Sequence, residues 1–375
     1  AITPGFVNAH THLELSSIPR DVHDPNTDGP EDEVAWLKRV VGQRVQGSEQ
    51  ILKENVQKNL NACLNAGTTM LADITTAGLS WPFVSQAKVR SIVFAELIGL
   101  KRYRGLQTSD SAWNWLSGVN RAPRSEANPA RSRAGLSPHA PYSTSSWLYH
   151  HAASSQLPLT THLAEMPEEL RLLEHRDGPL RGFLEEMGAW DDEWEPVGPR
   201  QADYIRKGEL RDADWLAAHG TYIEPSEFWQ LRPEASAKGQ RVAVAYCPRT
   251  NARFGHHAHP YRALLEKGAI VCLGTDSLAS SPSLGILDEM RFLHACDGSL
   301  SGELLLTMGT LFGAWALRAE AATGTLRAGK SADMAVVRLP ARDEADPYML
   351  LLESDLPVVA TVFEGEFVAG SWQGI

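Results

Sequence analysis

The sequence predicts an α/β protein, a (β/α)8 barrel carrying a small β-sandwich appendage, and three observations lead there. Eight short apolar runs alternate with helix-patterned stretches through the first 322 residues. Residues of acid/base and metal-ligand type stand where four of those runs end: His10-Thr11-His12, His162 with Glu165, His219, and Asp276. Beyond residue 322 the pattern changes to a few short runs with strand periodicity. Strand and helix alternating eight times reads as a closed parallel barrel rather than a doubly wound sheet.

In order, the strand candidates are 6–8, 69–73, 91–96, 134–137, 157–162, 215–219, 242–247 and 270–274. Between most of them lie helical stretches. The stretch 48–66 begins with Ser48 as an N-cap and is closed by Gly67; 261–267 is closed by Gly268. Two excursions interrupt the alternation, from Leu13 to about Gly47 and from Met166 to about Asp214. Connections this long in a compact enzyme are usually lids or substrate walls. Within the second, Trp190-Asp191-Asp192-Glu193-Trp194 offers aromatic wall residues or a solvated acidic turn.

The barrel domain is placed at 1–322 and the appendage at 323–375, with strands in the runs 332–339 and 358–368. These are too few to stand alone. Residues 1–5 enter the first strand with no domain before them, so an N-terminal segment supplying partner strands is expected.

At 375 residues the chain can bury one large core. The net charge of -11 argues against nucleic acid or an anionic membrane as a partner. With no long apolar run and no signal peptide, the cytoplasm is the expected compartment. Cys63, Cys247, Cys272 and Cys296 are widely spaced and read as buried, reduced thiols. A small heterocyclic molecule is the expected partner, and a homodimer the assembly considered.

His10 and His12 are two apart on an extended strand end, so their side chains share a face. With His162 and Asp276 they make three nitrogens and one carboxylate. That set suits one Zn2+, with Fe2+ also accommodated, and leaves room for a water that ionises near neutral pH. Glu165, just past the fifth strand, can carry a proton from that water. His219 is either a further ligand or the base that orients the hydroxide; the second role is preferred. No lysine occurs between Lys101 and Lys207, so the fourth strand has no lysine to carbamylate and bridge two metals.

These segments resemble the amidohydrolase superfamily, in particular its mononuclear aminohydrolases of nitrogen heterocycles. The resemblance rests on Pro4-Gly5-Phe6-Val7-Asn8-Ala9-His10-Thr11-His12, Ser137-Pro138-His139-Ala140-Pro141-Tyr142 and Thr161-His162-Leu163-Ala164-Glu165. It continues in Cys247-Pro248-Arg249-Thr250-Asn251, in Leu273-Gly274-Thr275-Asp276-Ser277 with Ser280, and in the stretch from Gly324 to Asp333. It implies metal on His10, His12, His162 and Asp276, Glu165 as proton shuttle, His219 beside the hydroxide, and a deaminase that releases ammonia. Within the branch, the starting His-Thr-His-Leu-Glu-Leu-Ser and Gly178-Pro179-Leu180 resemble deaminases of 6-aminodeoxyfutalosine. Ser277 departs from the glycine of many relatives, and the segment between Tyr142 and Pro158 is shorter than usual.

Substrate contacts are expected from His139, Trp36, Arg249 and Ser280. His139 is implied by the resemblance, with a structural histidine as the alternative. Trp36 falls where relatives place a specificity wall, against a core role. Arg249 either pairs with a substrate carboxylate or braces its loop. Gly255-His256-His257-Ala258-His259 has no carboxylate nearby in sequence and reads as surface histidines rather than a second metal site. Removal of chloride or alkylamine from a triazine, deamination of guanine or a pterin, and a non-catalytic scaffold are the competing functions.

Overall fold

A computed structural model describes residues 1–17, 30–119, 131–228, 240–342 and 346–371. Eight strands form one parallel sheet in the order of the chain: β2 (Phe6–Thr11), β3 (Thr68–Thr75), β4 (Arg90–Leu97), β5 (Ser132–Pro138), β6 (Leu159–Leu163), β7 (Trp215–His219), β8 (Val242–Tyr246) and β9 (Ile270–Leu273). Every one of the eight predicted runs is a strand of this sheet. Most of their residues are buried, as expected where helices cover one face and the barrel interior the other. Alternate residues such as Val7, Ala9, Met70, Ala72, Ile74, Ile92 and Phe94 pack together as one cluster inside it.

Closure is made between the first and last of these strands. The His10 carbonyl accepts from the Thr275 and Asp276 N–H groups at 3.0 and 3.1 Å, and Thr11 bridges to Asp276. The Asn8 amide and the Thr275 hydroxyl bond across the same seam at 2.8 Å. Gly274 permits the approach: a Cβ there would lie 2.7 Å from that of His10. The seam therefore lays the His-Thr-His segment beside Asp276.

A separate antiparallel sheet has the order β1 (Ile2–Pro4), β10 (Met334–Val337), β11 (Val358–Phe363) and β12 (Glu366–Gly370). It draws on both ends of the chain, and Pro4 is tolerated because β1 is an edge strand. The run 358–368 splits into two strands at Glu364-Gly365, whose φ values of 52° and 84° make the tight reversal that a hairpin needs. Arg90, buried at the start of β4, ties this sheet to the barrel through Asp333 at 3.2 Å and Glu364 at 3.1 Å.

The first excursion contributes the helix Glu33–Gln46, started by Asp32, whose carboxylate accepts from Ala35 N. The second is largely helical, with Pro167–His175 and Pro179–Glu186. Trp190 and Trp194 are 7% and 4% exposed and belong to the main core, with Arg181 over the Trp190 ring. Ser48 caps Glu49–Asn65 through Ile51 N, and Gly67 follows with φ 89°. Cys63, Cys247 and Cys272 are buried thiols, but Cys296 is exposed at the end of its helix, against expectation. Among the described residues no helix is long and apolar enough to cross a membrane.

Candidate metal centre and acid/base pair

The barrel mouth gathers the predicted residues. His12 Nε2 and His162 Nε2 lie 3.1 Å apart, and Asp276 Oδ1 lies 3.6 Å from His10 Nε2 and 3.7 Å from His12 Nε2. Donors placed about 2.0–2.1 Å from one tetrahedral ion stand about 3.3 Å from each other. Two overlapping groups have all their donor atoms within 4.8 Å: His10, His12 and His162, and His10, His219 and Asp276. Both ring nitrogens of His10 are buried without a hydrogen-bond partner, which a folded protein rarely tolerates without a ligand there. The donor set fits a divalent metal.

The electrostatics agree. Burial, then the charges of His139 and His10, pushes the His162 pKa down to about 3, and burial followed by His10 and His162 lowers His12. Both imidazoles are thus neutral, as ligation requires. His162 Nδ1–H donates to the His139 carbonyl at 2.9 Å, which leaves Nε2 bearing the lone pair. Burial would raise the Asp276 carboxyl, but the closeness of the His10, His12 and His219 imidazoles outweighs it and lowers the group below the usual carboxylate range. Backbone strain collects here too: Ala164, His219 and Asp276 have φ of 54°, 67° and 56°.

Glu165 Oε1 approaches His219 Nε2 at 3.2 Å. Burial, then the charges of Glu33, Asp276 and Glu169, raises the Glu165 pKa well above the carboxylate norm. His139 adjoins His162, ring centroids 4.8 Å apart. Its side chain is 20% exposed while those of His10, His12, His219, Glu165 and Asp276 are at 9% or less, so the His139 side is the open side of the site. Trp36 donates to the Ala279 carbonyl at 3.3 Å and packs on Phe254, joining the first excursion to the loop after β9.

Two expected substrate contacts are corrected. Arg249 braces its own region: its Nε donates to Glu289 at 2.7 Å, and its Nη1 and Nη2 donate to Ser283 at 3.0 Å each. Its guanidinium is turned into its own region, the bracing role that the sequence offered as the alternative. Ser280 is 1% exposed, and its hydroxyl donates to Asp276 Oδ2 and adjoins Thr250 Oγ1 at 3.0 Å. It orients the carboxylate. The histidine loop is corrected as well: His256 pairs with Glu33 at 3.0 Å and His259 is buried, so neither is a free surface residue.

Sequence reasoning missed Glu33, Glu96, Arg44 and Glu169. Arg44, on the first-excursion helix, reaches Glu14 at 2.8 Å and Glu96 at 3.2 Å, clasping that helix to the barrel mouth. Glu169 accepts from Ala164 N at 2.8 Å and so supports the turn between His162 and Glu165. Glu96 had a visible signal, a carboxylate at a strand end. Glu33 had only a run of acidic residues at a helix start.

A family model described as the amidohydrolase family matches residues 1–368. The chain belongs to the amidohydrolase family. It is 26% identical over 361 residues to a 5-methylthioadenosine/S-adenosylhomocysteine deaminase of Halalkalibacterium halodurans, covering 90% of this chain and 72% of that one. A Pyrococcus furiosus protein of the same description is 29% identical, with 94% and 77% covered. Among solved structures, Helicobacter pylori aminofutalosine deaminase superposes with a TM-score of 0.77 at 22% identity, covering 98% of this chain and 86% of that one. The zinc complex of atrazine chlorohydrolase from Arthrobacter aurescens gives 0.74 at 19%, covering 98% and 83%. At such identities these structures speak for the fold.

Proposed function

We propose that this amidohydrolase is a one-metal hydrolytic deaminase of an adenine-type nucleoside with an extended 5′ substituent, a class that includes methylthioadenosine, S-adenosylhomocysteine and 6-aminodeoxyfutalosine. The observation that carries the reading is the contact of Glu165 with His219 at 3.2 Å, directly beside the overlapping donor groups of His10, His12 and His162 and of His10, His219 and Asp276. The activities of the sequence relatives support the choice of substrate class.

Zn2+ bound by His10, His12, His162 and Asp276 would supply Lewis-acid polarisation and acidify a water. His219, whose Nε2 lies 3.2 Å from Glu165 Oε1, is placed to orient the attacking water toward the ring carbon. Burial and the carboxylates of Glu33, Asp276 and Glu169 raise the Glu165 pKa, which favours the protonated acid needed at the ring nitrogen next to the amino-bearing carbon. Glu165 passes its proton to the ring nitrogen and is recharged from the attacking water as the oxygen bonds to carbon; it then protonates the amino group, the C–N bond breaks to release ammonia, and the remaining hydroxyl proton returns to Glu165 as the carbonyl forms. The product is the ring carbonyl. His139, on the open side, is the substrate contact retained from the sequence, while Trp36 is buried with Leu15, Val40, Phe254 and Ala279, the core role that the sequence offered as the alternative.

The test is ammonia release from methylthioadenosine, S-adenosylhomocysteine, 6-aminodeoxyfutalosine, adenosine, guanine and a chlorotriazine, with chloride release followed for the last. One of the 5′-extended nucleosides is expected to show the highest kcat/KM. Guanine or the triazine leading by about tenfold, about 1.4 kcal/mol, overturns the substrate class. About one metal per chain is expected by elemental analysis; two tightly bound ions overturn the single-metal site.

A further inference from the structure

The histidine loop after β8 reaches the barrel mouth. His259 is 5% exposed, and its Nε2 lies 2.7 Å from the His219 carbonyl oxygen, so this nitrogen carries the hydrogen and donates. The ring stacks on Tyr246 with centroids 3.9 Å apart and planes at 24°, which fixes the direction of that N–H. His219 needs such a donor. Its pairing with β6 extends to the strand end, Leu163 opposite His219, whereas pairing with β8 stops at Ala218 opposite Ala245. His219 and Gly220 both then turn left-handed, at φ 67° and 71°. On the β6 side Gly220 N donates to the Leu163 carbonyl at 2.9 Å. On the β8 side the buried carbonyl of His219 is met by His259.

We propose that His259 is a positioning residue for His219, holding its strained backbone so that its Nε2 faces Glu165. Without this anchor the left-handed His219–Gly220 turn is free to shift at Cα, and with it the imidazole now 3.2 Å from Glu165. A partner behind a site histidine is typically worth about 10–100-fold in activity or metal affinity. The consequence for turnover rests on the deaminase reading above; the consequence for His219 geometry does not.

Two substitutions separate the hydrogen bond from the packing. His259→Phe keeps an aromatic ring against Tyr246 and removes the donor, while His259→Gln restores an N–H at the place of Nε2. The measurements are kcat and KM on the best nucleoside, and the imidazole nitrogen resonances of His219 in the metal-free protein. In His259→Phe we expect kcat to fall about 10–100-fold with KM within about twofold, and the His219 resonances to move. His259→Gln is expected to recover most of both. Unmoved His219 resonances in His259→Phe, or equal damage in the two variants, overturns the proposal. If His259→Phe fails to fold, His259→Gln decides: wild-type His219 resonances support the donor role and displaced ones overturn it. If the wild type deaminates none of the nucleosides, the functional reading fails while the resonances still test His259.

Discussion

Replacing Ser280 by alanine distinguishes what the sequence led one to expect of this residue from what the structure shows. Its hydroxyl donates to Asp276 Oδ2, at a position 1% exposed, and it is itself braced by Thr250 at 3.0 Å. A hydrogen bond to a charged group is worth about 1.5–3 kcal/mol. Asp276 keeps its approaches to His10 and His12 on the other oxygen at 3.6 and 3.7 Å, which keeps the loss toward the lower part of that range. At 1.4 kcal/mol for each factor of ten, zinc affinity should weaken about 10–30-fold. Only one small atom is removed, so the fold should persist. The assay is zinc titration against a chelating indicator, with KM measured at saturating zinc. Unchanged zinc affinity with a raised KM would refute the orienting role and return Ser280 to the substrate.

Three further substitutions probe the site and its supports. Glu165→Gln should retain the metal and lose about 10²–10⁴-fold in kcat, and a near-normal kcat would remove Glu165 from the proton path. Arg44→Met leaves Glu96 without its charged partner, while Glu14 keeps the Thr75 and Thr76 donors. Breaking a fully buried pair costs about 3–5 kcal/mol; with Arg44 26% exposed, about 2–3 kcal/mol is expected, and an unchanged melting temperature would contradict it. Burial, opposed by the Ala164 N–H and reinforced by Glu33, pushes the Glu169 pKa up to about 8, above its unfolded value. Its contribution to stability is therefore complete at acid pH and lost as pH rises through about 8, a fall that Glu169→Gln should flatten in urea titrations of metal-free protein at pH 5 and pH 8.

What the sequence determined by itself was everything that repeats with a strand or helix period. Eight apolar runs, the caps at Ser48 and Gly67, and the ligand types at strand ends are local signals, and a parallel barrel puts every strand's C-terminal end at one mouth. His10, His12, His162, His219, Asp276 and Glu165 were therefore legible one strand at a time. The run 358–368 was not, because a two-residue turn at Glu364-Gly365 interrupts the alternation without breaking its apolar character.

The tertiary structure decided which long-range partner each polar group found. Arg249 faces Glu289 and Ser283, Ser280 faces Asp276, Glu33 faces His256, and His259 turns inward to the carbonyl of His219. None of these pairs has a sequence period, since each depends on how the helices and loops above the strand ends pack against one another. The same holds for the seam between β2 and β9, where Gly274 lets two strands far apart in sequence come close enough for His10 and Asp276 to share one site.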